Sequence, residues 1–453
     1  MEDMETDTIY CGDCTEAMRR YIPDNSIDLI YADPPFFSNK PYEVIWGNGY
    51  ERRAFDDRWK GGIENYVAWM EPKLRECYRV LKDTGSMYLH CDWHAGHRLQ
   101  VLMDKIFHEN LVNEIIWKRT SAHTGEGKIR SFGTVHDVIL FYSKNNNYTF
   151  IPQYVPLNKD YVERFYRFVD KDGRRYRLSD LTARGVRHGE SGKPWHGIDP
   201  TKKGNHWKTT ITKLDELEKE GRIYFPKKVG GVPCYKRYLD EMKGQLLQDV
   251  WTDISPVQAH AKERLGYPTQ KPEQLLERII NVSSNAMDII LDPFCGCGTS
   301  IIVAHKLGRR WIGIDISPTS CKLIEKRLRK VHVKYAIIGL PQTVEELRAI
   351  QPFDFQNWVF EKLHGRVNPR KVGDFGIDGW VELDVPTQVK QSDDIGRNVV
   401  DNFETAIRRM GKKNGVIVAF SFGSGAYGEV ARAHNEEGLE IKLKTVAEIL
   451  KES

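Results

Sequence analysis

Strand-like apolar runs alternate with helical patterns along most of this chain, and this alternation is the feature that most constrains its fold. The runs "NSIDLIYAD" (25–33), "SMYLHCD" (86–92) and "DVILFYS" (137–143) have the length and composition of buried strands. Helical patterns such as "YVAWMEPKLRECYRVL" separate them. The alternation predicts an α/β fold with a mostly parallel, doubly wound sheet, which binds ligands at the carboxyl ends of its strands.

The alternation stops and restarts, which divides the chain into segments. It fails from about residue 145 to 250, in a stretch rich in Gly, Pro and charge, and resumes with a helix at "PEQLLERIINVSS". The segment 341–355 predicts a connecting helix followed by a boundary. We therefore expect a catalytic and cofactor domain over 1–340, an insert within it at 150–250, and a small α/β domain over 352–453.

Composition sets broad limits on the class of protein. A length of 453 residues fits two or three domains. No apolar run reaches the roughly 18 residues of a membrane span, and the acidic N-terminus has no signal-peptide pattern. Eight scattered cysteines favour a reducing cytoplasm over a disulfide framework.

The insert is the basic part of the chain. Lys and Arg outnumber Asp and Glu between residues 151 and 250, although the net charge of the whole chain is only +4. Aromatic residues lie among those charges, in strings such as "GRRYRLSD", "GNHWKTT" and "GRIYFPKK". Basic and aromatic side chains together suit phosphate contacts and base stacking. On charge alone, an irregular, solvent-exposed insertion is an equally good interpretation of this segment.

A Gly-rich turn in "LDPFCGCGTS" indicates a nucleoside cofactor. Gly296 and Gly298 allow the backbone to come close to a ligand, and the helix that follows adds a positive pole. Asp315 ends the next strand, where its carboxylate can accept both hydroxyls of a ribose. The pattern does not distinguish NAD from S-adenosylmethionine. Cys295 and Cys297 are expected to be packing residues, because no second pair lies at metal-ligand spacing nearby.

The turn "DPPF" follows the first buried strand and suits an amine substrate. An exocyclic amine of adenine or cytosine is a poor nucleophile, because its lone pair is conjugated into the ring. The Asp33 carboxylate and the Pro34 carbonyl, held in a proline-stiffened turn, can accept its hydrogens and draw the nitrogen towards a tetrahedral geometry. Phe36 can then stack on a flipped base. For this motif alone, an ordinary Asp-capped turn is the alternative.

Several long strings in a fixed order give a more specific signal. Over roughly residues 7–335 the chain resembles the beta class of DNA amino-methyltransferases, in which the catalytic motif precedes the target-recognition region and the cofactor motif comes last. The strings are "YCGDCTEAM", "DLIYADPPF", "MYLHCDWHAGH", "NEIIWKRTS", "VHDVILFYSK", "DVWTDISP", "GYPTQKPEQLLERII", "LDPFCGCGTS" and "RRWIGIDIS".

The resemblance implies a Rossmann-like methyltransferase that uses S-adenosylmethionine, flips its target base and transfers the methyl group directly. The implied catalytic residues are Asp33, Pro34, Pro35 and Phe36. The implied cofactor-binding residues are Asp292, Phe294, Gly296, Gly298, Thr299 and Asp315, with Lys271 and Pro272 at the methionine end. The insert at 150–250 would be the target-recognition region.

The first position of the "DPPF" motif bears on the target base. Asp at this position favours adenine-N6, whereas Ser leans towards cytosine-N4. Phe36 stands where Tyr is usual, which removes a hydroxyl and keeps the stacking face. Adenine is therefore the expected target, and cytosine-N4 is the alternative.

A zinc site can be imagined from His90, Cys91, His94, His97, Cys11 and Cys14. The His-rich string is typical of the family, in which it ends a strand and opens a helix. Direct methyl transfer also needs no metal, because the sulfonium leaving group already carries positive charge. We therefore favour a structural role for these residues.

Residues 352–450 resemble the Mrr-like branch of the PD-(D/E)XK nuclease fold. Strand alternation places Gln388 and Lys390 on one face, and Asp378 can face the same pocket across a short hairpin. Asp378 would hold Mg²⁺, Lys390 would orient water or offset phosphate charge, and Glu361 would be a further ligand or activator. Gln388 stands where most of the fold has Asp or Glu. A DNA-holding module and a structural cap are the alternatives.

Three functions follow from these patterns. The first is a site-specific adenine-N6 DNA methyltransferase of a restriction-modification system, with a fused nuclease-like domain. The second is a solitary methyltransferase whose C-terminal domain only binds DNA or a partner, and the third is a nucleoside-cofactor oxidoreductase, which "DPPF" and the insert disfavour. The expected partner is double-stranded DNA, and no association with a membrane is expected. A homodimer is a candidate assembly, in an intracellular prokaryotic or phage-type setting.

Overall fold

The structure, a computed structural model, describes residues 4–37, 41–45, 51–56, 62–120, 132–228, 230–258, 260–267, 269–368, 376–382 and 384–452. Among the residues of the strings quoted above, Ser121 and Pro268 lie outside the described residues. The chain divides into two compact units, Pro152–Gln248 and a larger unit made of Met1–Ile151 and Asp249–Ser453.

The first part of the larger unit alternates strands and helices, as the sequence predicts. In chain order its elements are β1 (Thr8–Cys11), α1 (Cys14–Tyr21), β2 (Ile27–Ala32), β3 (Pro41–Ile45), β4 (Glu51–Asp56), α2 (Gly62–Val80), β5 (Leu81–Cys91), α3 (Gly96–Ile106), β6 (Leu111–Lys118) and β7 (His136–Ser143). Helix α1 begins where the Asp13 carboxylate accepts the N–H groups of Thr15 and Glu16. Its last turn carries Arg19 and Arg20, which oppose the negative pole of the helix.

The smaller unit is built from short elements. They are β8 (Tyr154–Val155), α4 (Lys159–Phe165), β9 (Phe168–Val169), β10 (Arg175–Asp180), β11 (Thr182–Arg184), β12 (Asn205–Trp207), α5 (Ile211–Lys219), β13 (Ile223–Tyr224), β14 (Cys234–Tyr238) and β15 (Gln245–Leu246). Strands β13, β14, β10 and β9 form an antiparallel sheet in that order. A separate apolar cluster contains Leu181, Trp195, Trp207, Leu214 and Ile223.

The larger unit resumes at residue 249 and ends in a second sheet. Its elements are β16 (Val250–Trp251), α6 (Glu273–Ser283), β17 (Ile289–Asp292), α7 (Thr299–Lys306), β18 (Arg310–Asp315), α8 (Pro318–Lys330), β19 (Ala336–Ile338) and α9 (Val344–Ala349). The C-terminal elements are α10 (Pro352–Lys362), β20 (Arg366–Val367), β21 (Gly379–Val381), β22 (Val385–Val389), α11 (Arg397–Arg409), β23 (Asn414–Ala419), α12 (Ser424–Glu437), β24 (Glu440–Thr445) and α13 (Val446–Glu452).

The main sheet confirms the mostly parallel prediction. Its strand order is β16-β6-β7-β5-β2-β17-β18-β1-β19. Only β7 runs against its two neighbours, and every other adjacent pair is parallel. The strands β5, β2, β17, β18 and β1 therefore present their carboxyl ends at one edge.

Helices cover both faces of this sheet. Residues Met18, Leu74 and Met103 of α1, α2 and α3 belong to one apolar cluster, together with alternate residues of the strands. On the opposite face, the Tyr88 hydroxyl lies 2.7 Å from the Ser283 hydroxyl of α6. A three-layer α/β/α arrangement follows from this alternation.

The C-terminal domain has its own five-stranded sheet, in the order β20-β21-β22-β23-β24. Its helices pack into two apolar clusters, one around Trp358 and Phe360 and the other around Phe403 and Ile407. The sequence did not predict α12, because this helix buries only Ala426, Glu429 and Ala433 and so lacks an apolar stripe.

The boundary near residue 352 differs in detail from the prediction. The sequence indicated one connecting helix over 341–355, whereas α9 ends at Ala349 and α10 begins at Pro352. Proline suits the first turn of a helix because it has no N–H to leave unpaired, so it starts the second helix here.

Two general features bear on the predicted class. No helix in the described ranges is long and apolar enough to cross a membrane. All eight cysteines fall within those ranges, and each is a free thiol.

The core of the smaller unit can be tested with Trp207→Ala. Trp207 is fully buried, and its indole N–H donates to the Lys193 carbonyl. We expect a loss of about 3–5 kcal/mol in the unfolding free energy of this unit. Hydrogen exchange of peptides from 152–248, followed in rising urea, measures the loss. The exposed Phe225→Ala is the matched control, and equal effects of the two variants would contradict the assignment.

Candidate active site

Acidic and Gly-rich segments meet at the carboxyl edge of the main sheet. Asp33 follows β2, Asp292 ends β17, and Asp315 ends β18. These residues line one cavity of about 370 Å³, here called the sheet-edge cavity. The shared edge explains why residues nearly three hundred positions apart in sequence come together.

One carboxylate oxygen of Asp33 is hydrogen-bonded, and the other has no partner among the described residues. The Lys271 ammonium donates to Asp33 Oδ2 at 2.5 Å. Asp33 Oδ1 is buried and accepts no hydrogen bond from any described residue. A buried acceptor without a donor is costly, so this atom is suited to a donor supplied by a ligand.

Phe36 is held between a cation and a buried histidine. Its ring lies 5.5 Å from the His90 ring at an interplanar angle of 30°, and Lys271 Nζ lies 4.9 Å from its centroid. The turn is further fixed by the Tyr66 hydroxyl, which donates to the Pro35 carbonyl at 2.6 Å. Phe37 follows with a φ of 60°, a strained value for a large side chain.

Both ring nitrogens of His90 have partners, which explains the His-rich string. Nδ1 lies 2.8 Å from the Tyr31 hydroxyl, and Nε2 lies 3.2 Å from Asp137 Oδ2. His94 Nδ1 is 2.7 Å from Asp92 Oδ2. His90 packs against Phe36 of the turn, and among the described residues these histidines belong to no group of metal-ligand spacing.

The Gly-rich loop is shaped by close packing. Gly298 has a φ of 75°, and a Cβ there would lie 2.8 Å from Ile324. Gly296 has a φ of 51° and faces the Tyr267 ring. Its N–H donates to Asp315 Oδ2 at 2.8 Å, and the Ser317 N–H donates to Asp315 Oδ1 at 2.9 Å. The loop and the acidic residue therefore form one rigid unit.

Burial changes the acidity of two of these carboxyl groups. Burial raises the pKa of Asp292 to about 7, although hydrogen bonds from the Ser300 hydroxyl and the Phe294 N–H act to lower it. It also raises the pKa of Asp315 to about 7, against the N–H groups of Ser317 and Gly296. Neighbouring carboxylates add to both effects, because like charges at one edge disfavour ionisation.

Most of the predicted methyltransferase residues line the cavity. They are Asp33, Pro34, Pro35, Phe36, Lys271, Asp292, Phe294, Gly296, Thr299 and Asp315. Pro272 and Gly298 instead occupy the positions before α6 and α7 and shape those helix starts. Sequence reasoning missed Trp69, Lys73 and Tyr267, which also line the cavity. Tyr267 could have been found from "GYPTQKP", whereas Trp69 and Lys73 lie in an ordinary amphipathic helix.

The predicted nuclease residues do not all converge. Asp378 Oδ2 accepts the Val389 N–H at 2.8 Å, and the Gln388 amide donates to the Gly376 carbonyl at 2.9 Å. Glu361 forms an ion pair with Lys322 of α8 at 2.7 Å. Among the described residues, the group of three acidic side chains at metal-ligand spacing is elsewhere, at Asp401, Glu404 and Glu429, where arginines surround it.

Comparison with known proteins identifies the family. Residues 27–326 match the family model described as DNA methylase, for N6- and N4-acting enzymes. The chain therefore belongs to the DNA adenine-N6/cytosine-N4 methyltransferase family. The matched residues end before the C-terminal domain, which the family model does not cover.

Individual relatives agree with this family. The chain is 30% identical over 311 residues to the type II methyltransferase M.EcaI of Enterobacter cloacae, covering 68% of this chain and 66% of that protein. It is 28% identical over 326 residues to the type II methyltransferase M.HinfI of Haemophilus influenzae, covering 72% and 68%. It is also 28% identical over 326 residues to the DNA adenine methyltransferase YhdJ of Escherichia coli K12, covering 72% and 83%. The matches thus span about two thirds of M.EcaI and M.HinfI.

The raised pKa of Asp292 predicts a pH-dependent stability that Asp292→Asn removes. The folded protein holds this proton more tightly than the unfolded chain, whose ordinary value is 3.8. The contribution is therefore full below about pH 4 and is lost as pH rises through about 7. Because Asn stays neutral, the thermal midpoint of the variant should rise relative to that of the wild type as the pH increases from about 4 to 7. Parallel pH profiles of the two midpoints would refute this.

Proposed function

We propose that this protein transfers a methyl group from S-adenosylmethionine to the N6 amine of a flipped adenine in double-stranded DNA. The observation that carries the proposal is the buried, unpartnered Oδ1 of Asp33 in the sheet-edge cavity. An exocyclic amine offers the donor that this oxygen lacks. Lys271 holds the other oxygen, so the carboxylate is fixed before the substrate arrives.

The opposite end of the sheet-edge cavity fits the nucleoside part of the cofactor. Asp315 uses one lone pair of each oxygen on a backbone N–H, which leaves acceptor capacity for ribose hydroxyls. Gly296 offers a surface without a side chain beside Tyr267. When bound, S-adenosylmethionine supplies an electrophilic methyl group on a sulfonium. Its binding would use Phe294 and Thr299 as well, with Lys271 and Pro272 towards the methionine end.

The target-base end of the cavity is formed by the "DPPF" turn. Asp33 accepts one hydrogen bond from the amine, and the Pro34 carbonyl is the second acceptor. Phe36 offers an aromatic face, and its packing against His90 keeps that face in place. Support for adenine comes from Asp at the first motif position and from the likeness to a protein named as a DNA adenine methyltransferase. Cytosine-N4 is the competing product.

The smaller unit is proposed to recognise the DNA target. Its surface carries Arg and Lys among exposed aromatics such as Phe165 and Phe225. In such a unit, contacts of Arg and Lys with the DNA phosphates fix its position on the duplex, and contacts in the grooves provide sequence specificity. The likeness to type II methyltransferases supports a role in restriction-modification.

The variant Asp33→Asn tests the catalytic proposal. It keeps the side-chain size but removes the charge and one acceptor, so we expect methyl incorporation to fall at least about hundredfold. Cofactor binding should change little, because Asp33 lies at the other end of the sheet-edge cavity from Asp315. Tritium transfer to unmethylated DNA measures the rate, and calorimetry measures cofactor binding.

The exposed Asp83→Asn is the matched control and should behave as wild type. Mass spectrometry of the hydrolysed product DNA decides the base. N4-methylcytosine in place of N6-methyladenine would overturn the adenine assignment, and normal turnover of Asp33→Asn would overturn the catalytic one.

A second activity, Mg²⁺-dependent DNA cleavage, is proposed for the C-terminal domain. Gln388 Oε1 is buried and accepts no hydrogen bond from the described residues. It lies on β22, next to Val389, whose N–H binds Asp378. The amide oxygen of Gln388 and the carboxylate of Asp378, which lie on hydrogen-bonded chain segments, are chemically suitable oxygen ligands for Mg²⁺. Bound there, Mg²⁺ would activate water or neutralise phosphate charge, and Lys390 would add positive charge.

Cleavage is tested by mixing the purified protein with unmethylated plasmid and Mg²⁺, with and without S-adenosylmethionine. We expect nicked or linear DNA with wild type and at least about hundredfold slower cleavage with Lys390→Ala, because the phosphate loses a charge partner. Asp33→Asn separates the activities, since it should still cut.

Cleavage that survives Lys390→Ala would point to a contaminating nuclease. Intact plasmid with wild type, under conditions where methylation proceeds, would leave a DNA-holding domain as the better description.

A further inference from the structure

The start of the C-terminal domain forms part of the wall of the sheet-edge cavity. Gln351, Phe353 and Asp354 line it together with Ile316 and Ser317. These three residues lie beyond the matched family region, which ends at 326. The cavity is therefore built from the methyltransferase fold plus a segment specific to this chain's second domain.

Buried polar contacts fix that segment in place. Asp354 Oδ1 accepts the hydroxyls of Ser317 and Thr319, each at 2.8 Å. The Asn357 amide donates to the Thr319 hydroxyl at 3.1 Å. Asp354 and Asn357 are both buried, so each contact would be expensive to break. This set joins the first turns of α10 to the turn that follows Asp315.

Two apolar side chains, those of Ile316 and Phe353, line the sheet-edge cavity. Ile316 directly follows Asp315 and is 64% exposed, which is unusual for a large aliphatic side chain beside a buried strand. Phe353, half-buried, lines the same cavity from the C-terminal domain. A nucleoside whose ribose binds Asp315 would cover both surfaces.

We propose that the cofactor is held jointly by the methyltransferase fold and by the first turn of α10, with Phe353 covering its base and Asp354 positioning the Ser317 turn. This rests on the proposed use of S-adenosylmethionine. Cofactor binding then stabilises the packing of α10 against α8, and a partner that changes this packing changes the cofactor affinity by the factor by which the cofactor changes the partner's affinity. Helix α10 also carries Glu361, so the link reaches the proposed nuclease domain.

Calorimetry on the full chain tests the proposal. Phe353→Ala should weaken S-adenosylmethionine binding on the order of tenfold, and Phe353→Leu should restore part of the loss because it keeps apolar cover. Asp354→Ala should weaken binding roughly fivefold through the loosened turn. In methylation assays these variants should raise the KM for the cofactor and leave kcat within about threefold. Tyr427→Ala, exposed on α12 of the same domain, is the control and should bind as wild type.

Hydrogen exchange of the wild type gives a readout that does not depend on any variant. Added cofactor should slow exchange in peptides from 295–299 and also in peptides from 352–362. Protection of 295–299 alone, with normal binding by Phe353→Ala and Asp354→Ala, would overturn the joint site and leave the proposed function intact. No binding and no protection at 295–299 would instead refute the proposed function itself.

Discussion

Parallel pairing of β2, β17, β18 and β1 is the constraint on which the rest of the structure depends. It delivers Asp33, Asp292 and Asp315 to one edge of the sheet, where three carboxyl groups share a partly enclosed space. Such a cluster is unfavourable unless its charge is offset. Lys271 offsets it at Asp33, and backbone N–H groups do so at Asp315. Burial, with a smaller contribution from neighbouring carboxylates, raises the pKa of Asp292 and of Asp315 to about 7.

The carboxyl groups at the two ends of the sheet-edge cavity differ in their hydrogen bonding. At Asp315 and Asp292 the carboxyl groups accept hydrogen bonds from the Gly-rich loop and the residues beside it, so that end is organised for a ligand with hydroxyl groups. At Asp33 the carboxylate is held by a cation on one oxygen and is left without a donor on the other. A carboxylate that is already oriented, next to an aromatic side chain, suits a weakly nucleophilic amine. Because folding fixes the carboxylate, no further free energy is needed to orient it when the amine binds.

The sequence was sufficient for those parts of the structure that local pattern determines. Apolar runs predicted β2, β5, β7, β17 and β18, and the positions of the motifs predicted that Asp33 and Asp315 would each lie at the end of a strand. It was insufficient where contacts depend on tertiary packing. Nothing in "QPFDF" signals that Phe353 and Asp354 turn towards Ser317, since an acidic residue in the first turn of a helix is ordinary. Likewise α12 was missed because its buried residues are two alanines and Glu429, which give no apolar stripe.

The same reasoning bears on the C-terminal domain. In the proposed nuclease site, Gln388 would stand where a carboxylate is usual, and a neutral amide beside Asp378 would reduce the repulsion that two adjacent carboxylates create without a metal. Its Oε1 nevertheless stays buried without a donor, a cost that a purely structural strand would avoid by placing an apolar side chain there. Meanwhile Glu361 is paired with Lys322 on the helix that follows the Asp315 turn. If the proposed cleavage uses Glu361, this ion pair is a direct contact between that residue and the methyltransferase fold.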